Sequence, residues 1–381
     1  MLFGIGAARF AFAQQAPEPG QQAPVITLPT VEVIGTSPLL GTGIEKEKFP
    51  ANVQTIERKQ LDEAGPVTLG DMLNKQVGSV TINEAQNNPF QPDVQFRGFT
   101  ASPLLGNPQG IAVYQNGTRI NEPFGEVVQW DLVPEFAIHS VQVIPGSNPV
   151  FGLNALGGAL AIEMKNGFTF REGMVEAYGG SFGRYQVTGE YGGVIDNFGY
   201  YIGVTGFDEK GWRDESPSNV QQVYSDARWR TEKAEVALNF TYANTDLTGN
   251  GPAPVELLSI DREAVFTFPD NTQNELFFVG AQGNYAHSDT VSFQSNLYYR
   301  KLDRDTFNGD EQDFEDCTGI GGPAGTLCEN AGTPDEEQIL DLSGNPIPTT
   351  AGGNGAFNSS VTRSHGVGGS LQTTVTEAVL E

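Results

Sequence analysis

The sequence predicts a small α+β domain followed by a long antiparallel β-sheet. Residues 54–64 and 68–76 have the apolar spacing of short helices, and residues 140–165 contain two strand-like runs joined by a glycine-rich turn. From residue 173 onward apolar and polar residues alternate along successive segments. A period of two with one apolar face is typical of strands in a sheet that has one apolar side.

Glycine residues shape the predicted α+β domain. A strand-like run at residues 141–144 is followed by a Gly/Pro turn, by Gly152, Gly157 and Gly158, and by a second run at residues 159–164. Because glycine has no Cβ, it allows tight turns and close approach of two backbones. We therefore expect these glycines to fix how the two strands meet.

Two further strand-and-turn segments precede this pair. Residues 93–99 read DVQFRGF, and residues 111–125 read IAVYQNGTRINEPFG. The second contains Asn116-Gly117, and an Asn-Gly pair between apolar runs is the strongest short hairpin signal in a sequence. Residues 116–117 are therefore predicted to form a two-residue hairpin turn.

In this order and spacing, the motifs resemble the plug domain of TonB-dependent outer-membrane receptors. The resemblance covers roughly residues 45–165, but Asn116 stands where the family usually has an acidic residue, and residues 144–147 read Ile-Pro-Gly-Ser where an Arg-Gly-Pro run is common. These departures indicate a subfamily similar to ferric-citrate-type receptors. The plug-motif residues are Arg97, Gly98, Phe99, Asn116, Gly117, Gly146, Gly152, Gly157 and Gly158.

The resemblance implies the fold class and the domain boundaries. We expect an α+β plug domain at residues 45–167, followed at residues 173–381 by antiparallel transmembrane β-barrel strands, about eight of the 22 that family membership implies. The barrel is then incomplete, and we expect the chain to be a fragment. Arg97 resembles the plug arginine that pairs with acidic barrel residues, with a lone solvent-facing Arg in a strand as the alternative. Glu163 and Lys165 are expected to be ordinary surface charges.

The helices of the predicted domain carry their own start signal and apolar face. Residues 68–71, Thr-Leu-Gly-Asp, form a plausible capping box before the second helix. The apolar residues that this spacing brings to one face are most simply explained as core: Leu69, Met72, Leu73 and Val77.

The strands after residue 173 are predicted near 173–179, 183–192, 198–208, 220–230, 234–244, 274–286, 290–304 and 361–375. Short turns follow the even-numbered strands, while two of the other connections are long, at residues 245–273 and 305–360. Short turns at one end and long loops at the other are typical of outer-membrane barrels. A structureless connection as long as residues 305–360 is uncommon in a compact soluble domain.

Composition restricts the function. The net charge is −26, with 47 acidic and 21 basic residues, which argues against nucleic acid as a partner because phosphate binding needs clustered Lys and Arg. The sequence lacks the run of about 18 apolar residues that a transmembrane helix needs. The 47 glycines and 24 phenylalanines fit strands and turns.

The N-terminal region contains targeting and tether signals. Residues 1–13 end in Ala-Phe-Ala and are predicted to be a signal peptide, with a disordered N-terminus as the alternative. Residues 14–44 form a predicted flexible arm that contains a β-prone run at residues 29–36. This run resembles the TonB box, through which the family receives energy from the inner membrane, and its central residues are Val31, Glu32, Val33 and Ile34.

The last long connection contains both cysteines of the chain, Cys317 and Cys328. An even count in an exported chain predicts a disulfide, with free thiols or a metal pair as alternatives. The acidic run at residues 310–316 lacks the glycine and bidentate Glu of an EF-hand, and His139, His287 and His365 are too scattered to indicate zinc. We therefore expect no metal site.

The leading functional hypothesis is an outer-membrane receptor that imports a scarce nutrient, with a ferric chelate such as a siderophore or ferric citrate expected. The resemblance implies outer-membrane lipid and TonB as partners and no cofactor. Because no nucleophile–base pair, metal cluster or phosphate loop is apparent, we do not expect an enzyme. A non-transporting surface-binding β-protein and a nonfunctional remnant are the alternatives. The expected ligand contacts lie in glycine-rich or polar connections, at Asn87, Asn88, Phe90, Phe124 and Trp130.

Overall fold

The computed structural model describes residues 8–12, 33–35, 43–45, 50–65, 68–288, 290–311, 314–341, 343–351 and 355–375. Three short strands precede the first domain: β1 (Ala8–Phe12), β2 (Val33–Gly35) and β3 (Gly43–Glu45). β2 and β3 pair with each other in antiparallel orientation, and β1 pairs with the first strand of the large second sheet. Of the predicted signal peptide, residues 1–7 and 13 lie outside the described residues.

The α+β domain contains two helices and two small sheets. Its elements are β4 (Gln54–Glu57), α1 (Arg58–Ala64), α2 (Leu69–Gln76), β5 (Val80–Asn83), β6 (Asp93–Phe96), β7 (Phe99–Ala101), β8 (Ile111–Gln115), β9 (Thr118–Arg119), β10 (Ile138–Pro145) and β11 (Gly158–Met164). The larger sheet has the order β4-β10-β11-β8-β9, and β11 and β8 are its parallel pair. The smaller sheet is β5-β6-β7.

The first predicted helix is shorter than the sequence indicates. Residues 54–57 form β4, which pairs with β10, and α1 begins only at Arg58. Glu57 ends the strand and caps the helix through a reciprocal capping box with Gln60. The local pattern did not reveal the strand because its partner, β10, lies about 85 residues further along the chain, and strand pairing is decided by such distant contacts.

The second helix follows the prediction closely. The Thr68 hydroxyl oxygen accepts a hydrogen bond from the Asp71 N–H at 3.3 Å, which satisfies one of the unpaired N–H groups at the start of α2. The four residues predicted as core are buried, as are most apolar residues of β8, β10 and β11. The core therefore lies between α2 and the two small sheets.

The second part of the chain is one large antiparallel sheet. Its strands are β12 (Gly173–Gly179), β13 (Tyr185–Ile195), β14 (Phe198–Glu209), β15 (Ser218–Arg230), β16 (Ala234–Thr248), β17 (Asp270–Ala286), β18 (Val291–Glu311) and β22 (Gly355–Val375). The loop between β18 and β22 contains three short strands of its own: β19 (Glu315–Asp316), β20 (Leu327–Glu329) and β21 (Glu337–Gln338). From β12 to β18 each strand pairs with the next in sequence, β18 pairs with β22, and β1 pairs with β12 at one edge.

The two faces of the large sheet differ in chemistry. One face, here called the inner face, contacts the α+β domain and is rich in buried polar side chains such as Gln222, Thr241 and Asn296. The other, the outer face, exposes an apolar band whose members alternate with the inner residues: Val187, Tyr191, Ile202, Val204, Val236, Leu238, Leu297, Val367 and Leu371. No helix in the described part of the chain is long and apolar enough to cross a bilayer.

The connections at the two ends of the sheet differ in length. Residues 196–197 and 231–233 form short turns at one end, here called the short-turn end, and residues 287, 288 and 290 lie at the same end. At the other end, the long-loop end, residues 249–269 contain helix α3 (Val255–Ile260), and the last loop holds the small sheet β19-β20-β21. The sequence predicted no structure in that last loop, and the structure corrects this prediction.

Candidate functional site at the domain interface

The hairpin turn at Asn116-Gly117 is the central contact between the α+β domain and the large sheet. Both residues have positive φ, 47° and 78°, which a two-residue turn of this type requires and which Asn and Gly tolerate. The Asn116 carbonyl oxygen accepts hydrogen bonds from Gln282 Nε2 at 3.2 Å and Asn296 Nδ2 at 3.5 Å. The predicted turn therefore inserts its backbone into the inner face of the sheet.

The Asn116 side chain adds two further contacts. Its Nδ2 donates to the hydroxyl of Tyr224 on β15 at 2.9 Å, and its Oδ1 accepts from the Met164 N–H of β11 at 2.9 Å. One residue earlier, Gln115 Nε2 donates to the Thr241 hydroxyl at 3.0 Å. The Asn116 side chain thus joins β11 of the α+β domain to β15 of the large sheet.

Asp131 is a second buried connection. Its Oδ2 accepts hydrogen bonds from Thr245 Oγ1 at 2.6 Å and Asn274 Nδ2 at 2.8 Å, and its main-chain oxygen accepts from Gln222 Nε2 at 2.7 Å. Burial raises the pKa of Asp131, and the hydrogen bonds from Thr245 and Asn274 oppose that rise. The residue thus connects the domain to three strands, β15, β16 and β17.

Two ion pairs cross the interface. Lys165 pairs with Glu190 of β13, and both side chains are 1% exposed. The Tyr201 hydroxyl also donates to Glu190, at 2.5 Å. The second pair joins Glu122 of the α+β domain to Arg300 of β18. The prediction that Lys165 is an ordinary surface charge was wrong, because β13 and β14 cover it; Glu163 is partly exposed.

Arg97 lies in the turn between β6 and β7. Its backbone has φ 51°, and with Gly98 at φ 84° it forms the two-residue turn between β6 and β7. The side chain is exposed and lies over the neighbouring Phe96 ring at 5.1 Å, with no acidic partner at ion-pair distance in the described ranges. The pairing of Arg97 with an acidic barrel residue stays a prediction.

The remaining plug-motif glycines lie where a side chain would collide or strain the backbone. A Cβ on Gly158 would lie 2.1 Å from the Ile144 carbonyl oxygen, and φ there is 140°. A Cβ on Gly157 would lie 2.5 Å from Phe99 Cβ. Gly146 and Gly152 have φ of 92° and 74°. Gly158 therefore lets β10 and β11 approach closely, and Gly157 leaves room for Phe99 at the start of β7.

The five predicted ligand residues separate into two groups. Asn88 and Trp130 are buried, at 2% and 3% exposure, and their side chains bond within the protein, so these two do not offer a ligand a free polar group. Phe124 is 71% exposed. Asn87 and Phe90 are partly exposed, in the connection between β5 and β6.

The predicted TonB box lies mostly outside the described residues. Val33 and Ile34 belong to β2, opposite Glu45 and Ile44 of β3, whereas Val31 and Glu32 are not among the described residues. The segment remains a prediction.

A covalent bond and one carboxylate organise the last long loop. Cys317 and Cys328 are joined as a disulfide, so neither offers a thiolate to a metal ion. Glu336 accepts from the N–H groups of Gly332, Thr318 and Gly321. The Gly332 N–H and the Thr318 hydroxyl contribute most to lowering the pKa of Glu336, to about 2.

Sequence reasoning missed the inner-face partners of the domain. Asp131 and its partner Asn274 are 143 residues apart, so no local motif connects them. A signal was nevertheless present: Gln222, Gln282 and Asn296 are large neutral amides at positions that alternate with apolar residues. Amides at regular inward positions indicate a wall that faces polar protein groups and not lipid.

Comparison with known proteins agrees with this geometry. Residues 45–159 match the family described as TonB-dependent Receptor Plug Domain. The search of the curated proteins found no match to the sequence. The predicted resemblance to TonB-dependent receptors is confirmed, and residues 45–159 carry their plug domain.

Solved structures share the fold at low sequence identity. The ferric-catecholate import receptor Fiu from E. coli K12 has a TM-score of 0.64 and 14% identity, over 91% of this chain and 49% of Fiu. The ferric yersiniabactin uptake receptor FyuA from Yersinia pestis has a TM-score of 0.54 and 15% identity, over 68% and 43%. The ferric citrate transporter FecA, unliganded, has a TM-score of 0.56 and 13% identity, over 86% and 54%. The chain spans about half the length of these relatives.

The predicted fold class is confirmed: an α+β plug domain is followed by a large antiparallel sheet of about eight strands. The predicted location in the outer membrane is confirmed by the same family match and by the fold. The α+β domain is thus the plug domain of the chain.

Proposed function

We propose that this protein is a TonB-dependent outer-membrane receptor that binds a ferric chelate and imports it into the periplasm. The observation that carries the proposal is the position of the plug domain, which lies against the inner face of the sheet and contacts it through Asn116, Asp131 and Lys165. A domain that fills the lumen of a barrel must be rearranged before cargo passes. Transport therefore needs an energy source.

The energy source is proposed to be TonB, acting through residues 29–36. An extended, β-prone segment on a tether is suited to adding a strand to the edge of a partner's sheet. Val33 and Ile34 already adopt strand geometry in β2. In this proposal the plug and its tether face the periplasm at the short-turn end, and the long loops face outward.

The ligand class is proposed from the relatives. Their descriptions name ferric yersiniabactin, ferric catecholates and ferric citrate as cargo. In this protein, Phe124 is the exposed aromatic residue among the predicted ligand contacts, and Asn87 and Phe90 lie in a partly exposed connection. We propose that these three residues contact the chelate at the long-loop end.

The test uses the full chain in a host that lacks its own receptors for the chelates. Binding and uptake of 55Fe-labelled citrate, catecholate and hydroxamate chelates are measured with and without TonB. Val33→Pro removes one backbone donor of the predicted TonB box and is expected to abolish uptake while binding persists. Gln21→Pro, a proline elsewhere in the predicted arm, is the matched control and is expected to leave uptake unchanged.

The two alternatives give different results. Binding of a chelate without TonB-dependent uptake would support a surface-binding β-protein. A chain that inserts in the outer membrane but neither binds nor imports any of the three chelates would support the remnant hypothesis. Uptake that is insensitive to Val33→Pro would contradict the role of residues 29–36.

A further inference from the structure

Two cavities lie one above the other between the plug domain and the first strands of the sheet. The outer cavity, about 180 Å³, opens near the long-loop end and is lined by Glu84, Asn87, Glu209 and Trp212 among others. The inner cavity, about 250 Å³, reaches towards the short-turn end. Its lining includes Arg58, Asp62, Glu135, Glu176, Tyr178 and Glu190.

A thin partition separates the two cavities. Pro89 and Arg184 line both, so they belong to the dividing wall. Below Pro89, the Phe90 ring packs edge-on against Phe207 of β14, with ring centroids 4.8 Å apart. Arg184 lies 5.7 Å from the same Phe207 ring and donates two hydrogen bonds to Glu209, at 2.9 and 2.8 Å.

Residues 84–91, here called the latch, form the plug side of this partition. One buried side chain fixes the latch to the sheet: Asn88 Nδ2 donates to Ser218 Oγ at 2.9 Å and to the Thr248 carbonyl oxygen at 3.1 Å. Asn88 Oδ1 accepts from the Phe90 N–H at 3.0 Å, which links the anchor to the ring that closes the partition. Release of Asn88 would therefore free Phe90 as well.

The inner cavity has an unequal charge lining. Five carboxylates line it, at Asp62, Asp71, Glu135, Glu176 and Glu190, against two guanidinium groups, at Arg58 and Arg184. Asp62 pairs with Arg58, Glu190 with Lys165, and Arg184 with Glu209. When these partners are counted, six carboxylates face three cations. Carboxylates around a water-accessible space raise the local concentration of cations and exclude anions.

We propose that the two cavities are successive parts of one passage along β13, β14 and β15, that the latch closes it, and that its lining selects neutral or cationic solutes. The role of this passage in carrying cargo rests on the function proposed above and extends only to chelates without net negative charge, because ferric citrate and ferric catecholate complexes are anions. The existence of the passage does not rest on that function, because it concerns only whether a small solute can reach the inner cavity. The test therefore uses a probe that requires neither chelate nor TonB.

The probe is a reporter cysteine in the inner cavity. Gln186→Cys places a thiol on β13 in the cavity lining, and the two native cysteines are silent because they are bonded to each other. The full chain is reconstituted in lipid bilayers, and the rate of thiol labelling is measured with a cationic and an anionic methanethiosulfonate of similar size. Asn88→Asp removes both donors to the sheet but keeps an acceptor for the Phe90 N–H.

The expected result is that Asn88→Asp raises the labelling rate of the reporter about tenfold, as the loss of two buried hydrogen bonds implies. The cationic reagent is expected to react faster than the anionic one in both backgrounds. Asn107→Asp is the matched control, because Asn107 bonds to Ser102 within the plug and not to the sheet. It is expected to leave the rate unchanged.

Each contrary result has a defined meaning. Equal labelling with and without Asn88→Asp shows that the latch is not the barrier, and faster labelling by the anionic reagent overturns the charge selection. If Asn88→Asp does not fold, Ser218→Ala takes its place; it removes one acceptor from the sheet and is expected to give a smaller increase. If the labelling rate depends on the latch but the protein imports no chelate, the proposed transport function is contradicted and the proposed passage is supported.

Discussion

The buried pair Lys165–Glu190 gives a quantitative test of how the plug domain is held. Lys165→Met removes the cation and leaves Glu190, 1% exposed, with the Tyr201 hydroxyl as its remaining partner within the described part of the chain. Removing one member of a buried ion pair leaves an uncompensated charge, which costs about 3–5 kcal/mol of unfolding free energy. The double variant Lys165→Met/Glu190→Leu removes both charges, and it is expected to regain at least about 2 kcal/mol of that loss.

The assay follows plug unfolding in urea by the fluorescence of Trp130. This residue is 3% exposed in the plug core, and the other two tryptophans, Trp212 and Trp229, are replaced by Phe in every variant. Lys59→Met is the matched control: its pair with Glu63 is solvent-exposed, and such pairs contribute about 0.5 kcal/mol or less. A cost below about 1 kcal/mol for Lys165→Met would refute the reasoning, because it would equal that of an exposed pair.

Three further predictions concern the plug domain. Arg97→Asn relieves a left-handed backbone in a two-residue turn and is expected to raise the unfolding free energy by about 0.5–1 kcal/mol in urea titrations, and no gain would contradict it. Gly158→Ala, with its Cβ 2.1 Å from the Ile144 oxygen, is expected to prevent plug folding, as resistance to protease would show. Burial raises the pKa of Glu135 from 4.5 to about 7. Between these pH values the folded plug binds more protons than the unfolded chain, so the free energy of unfolding falls as pH rises through them, by at most about 3 kcal/mol. Glu135→Gln keeps an acceptor for the Leu69 N–H and is expected to flatten this dependence in unfolding titrations at pH 5 and 8; an unchanged slope would assign it to another group.

The sequence predicted the features that local chemistry decides. Strand order and most strand bounds after residue 173 followed from a period of two, because one sheet face is covered by protein and the other is apolar. The start of α2 followed from Thr68, whose hydroxyl caps the helix three residues away. The hairpin at Asn116-Gly117 followed from two residues that tolerate positive φ. Each of these signals lies within a few residues of the structure that it predicts.

The errors share one physical origin, which is contact between distant parts of the chain. Lys165 looks like a surface charge until β13 brings Glu190 against it. Asp131 was not recognised at all, since its hydrogen-bond partners Thr245 and Asn274 belong to other strands. A sequence pattern does not specify which face of a distant strand a side chain meets.

The amide-rich contact between plug and sheet also has a mechanical consequence. Asn88 bonds to the sheet near the long-loop end. Gln222 bonds to Asp131 further towards the short-turn end, and Asn116 bonds to Gln282 and Asn296 nearest to that end. A load applied at the plug's tether meets these bonds one after another and not as a single simultaneous set. Each bond between neutral groups contributes only about 0.5–1.5 kcal/mol, so this part of the contact can be opened stepwise under modest force. Bonds between neutral groups are also little affected by salt, so their share of the resistance to that force stays the same as the ionic strength outside the cell changes.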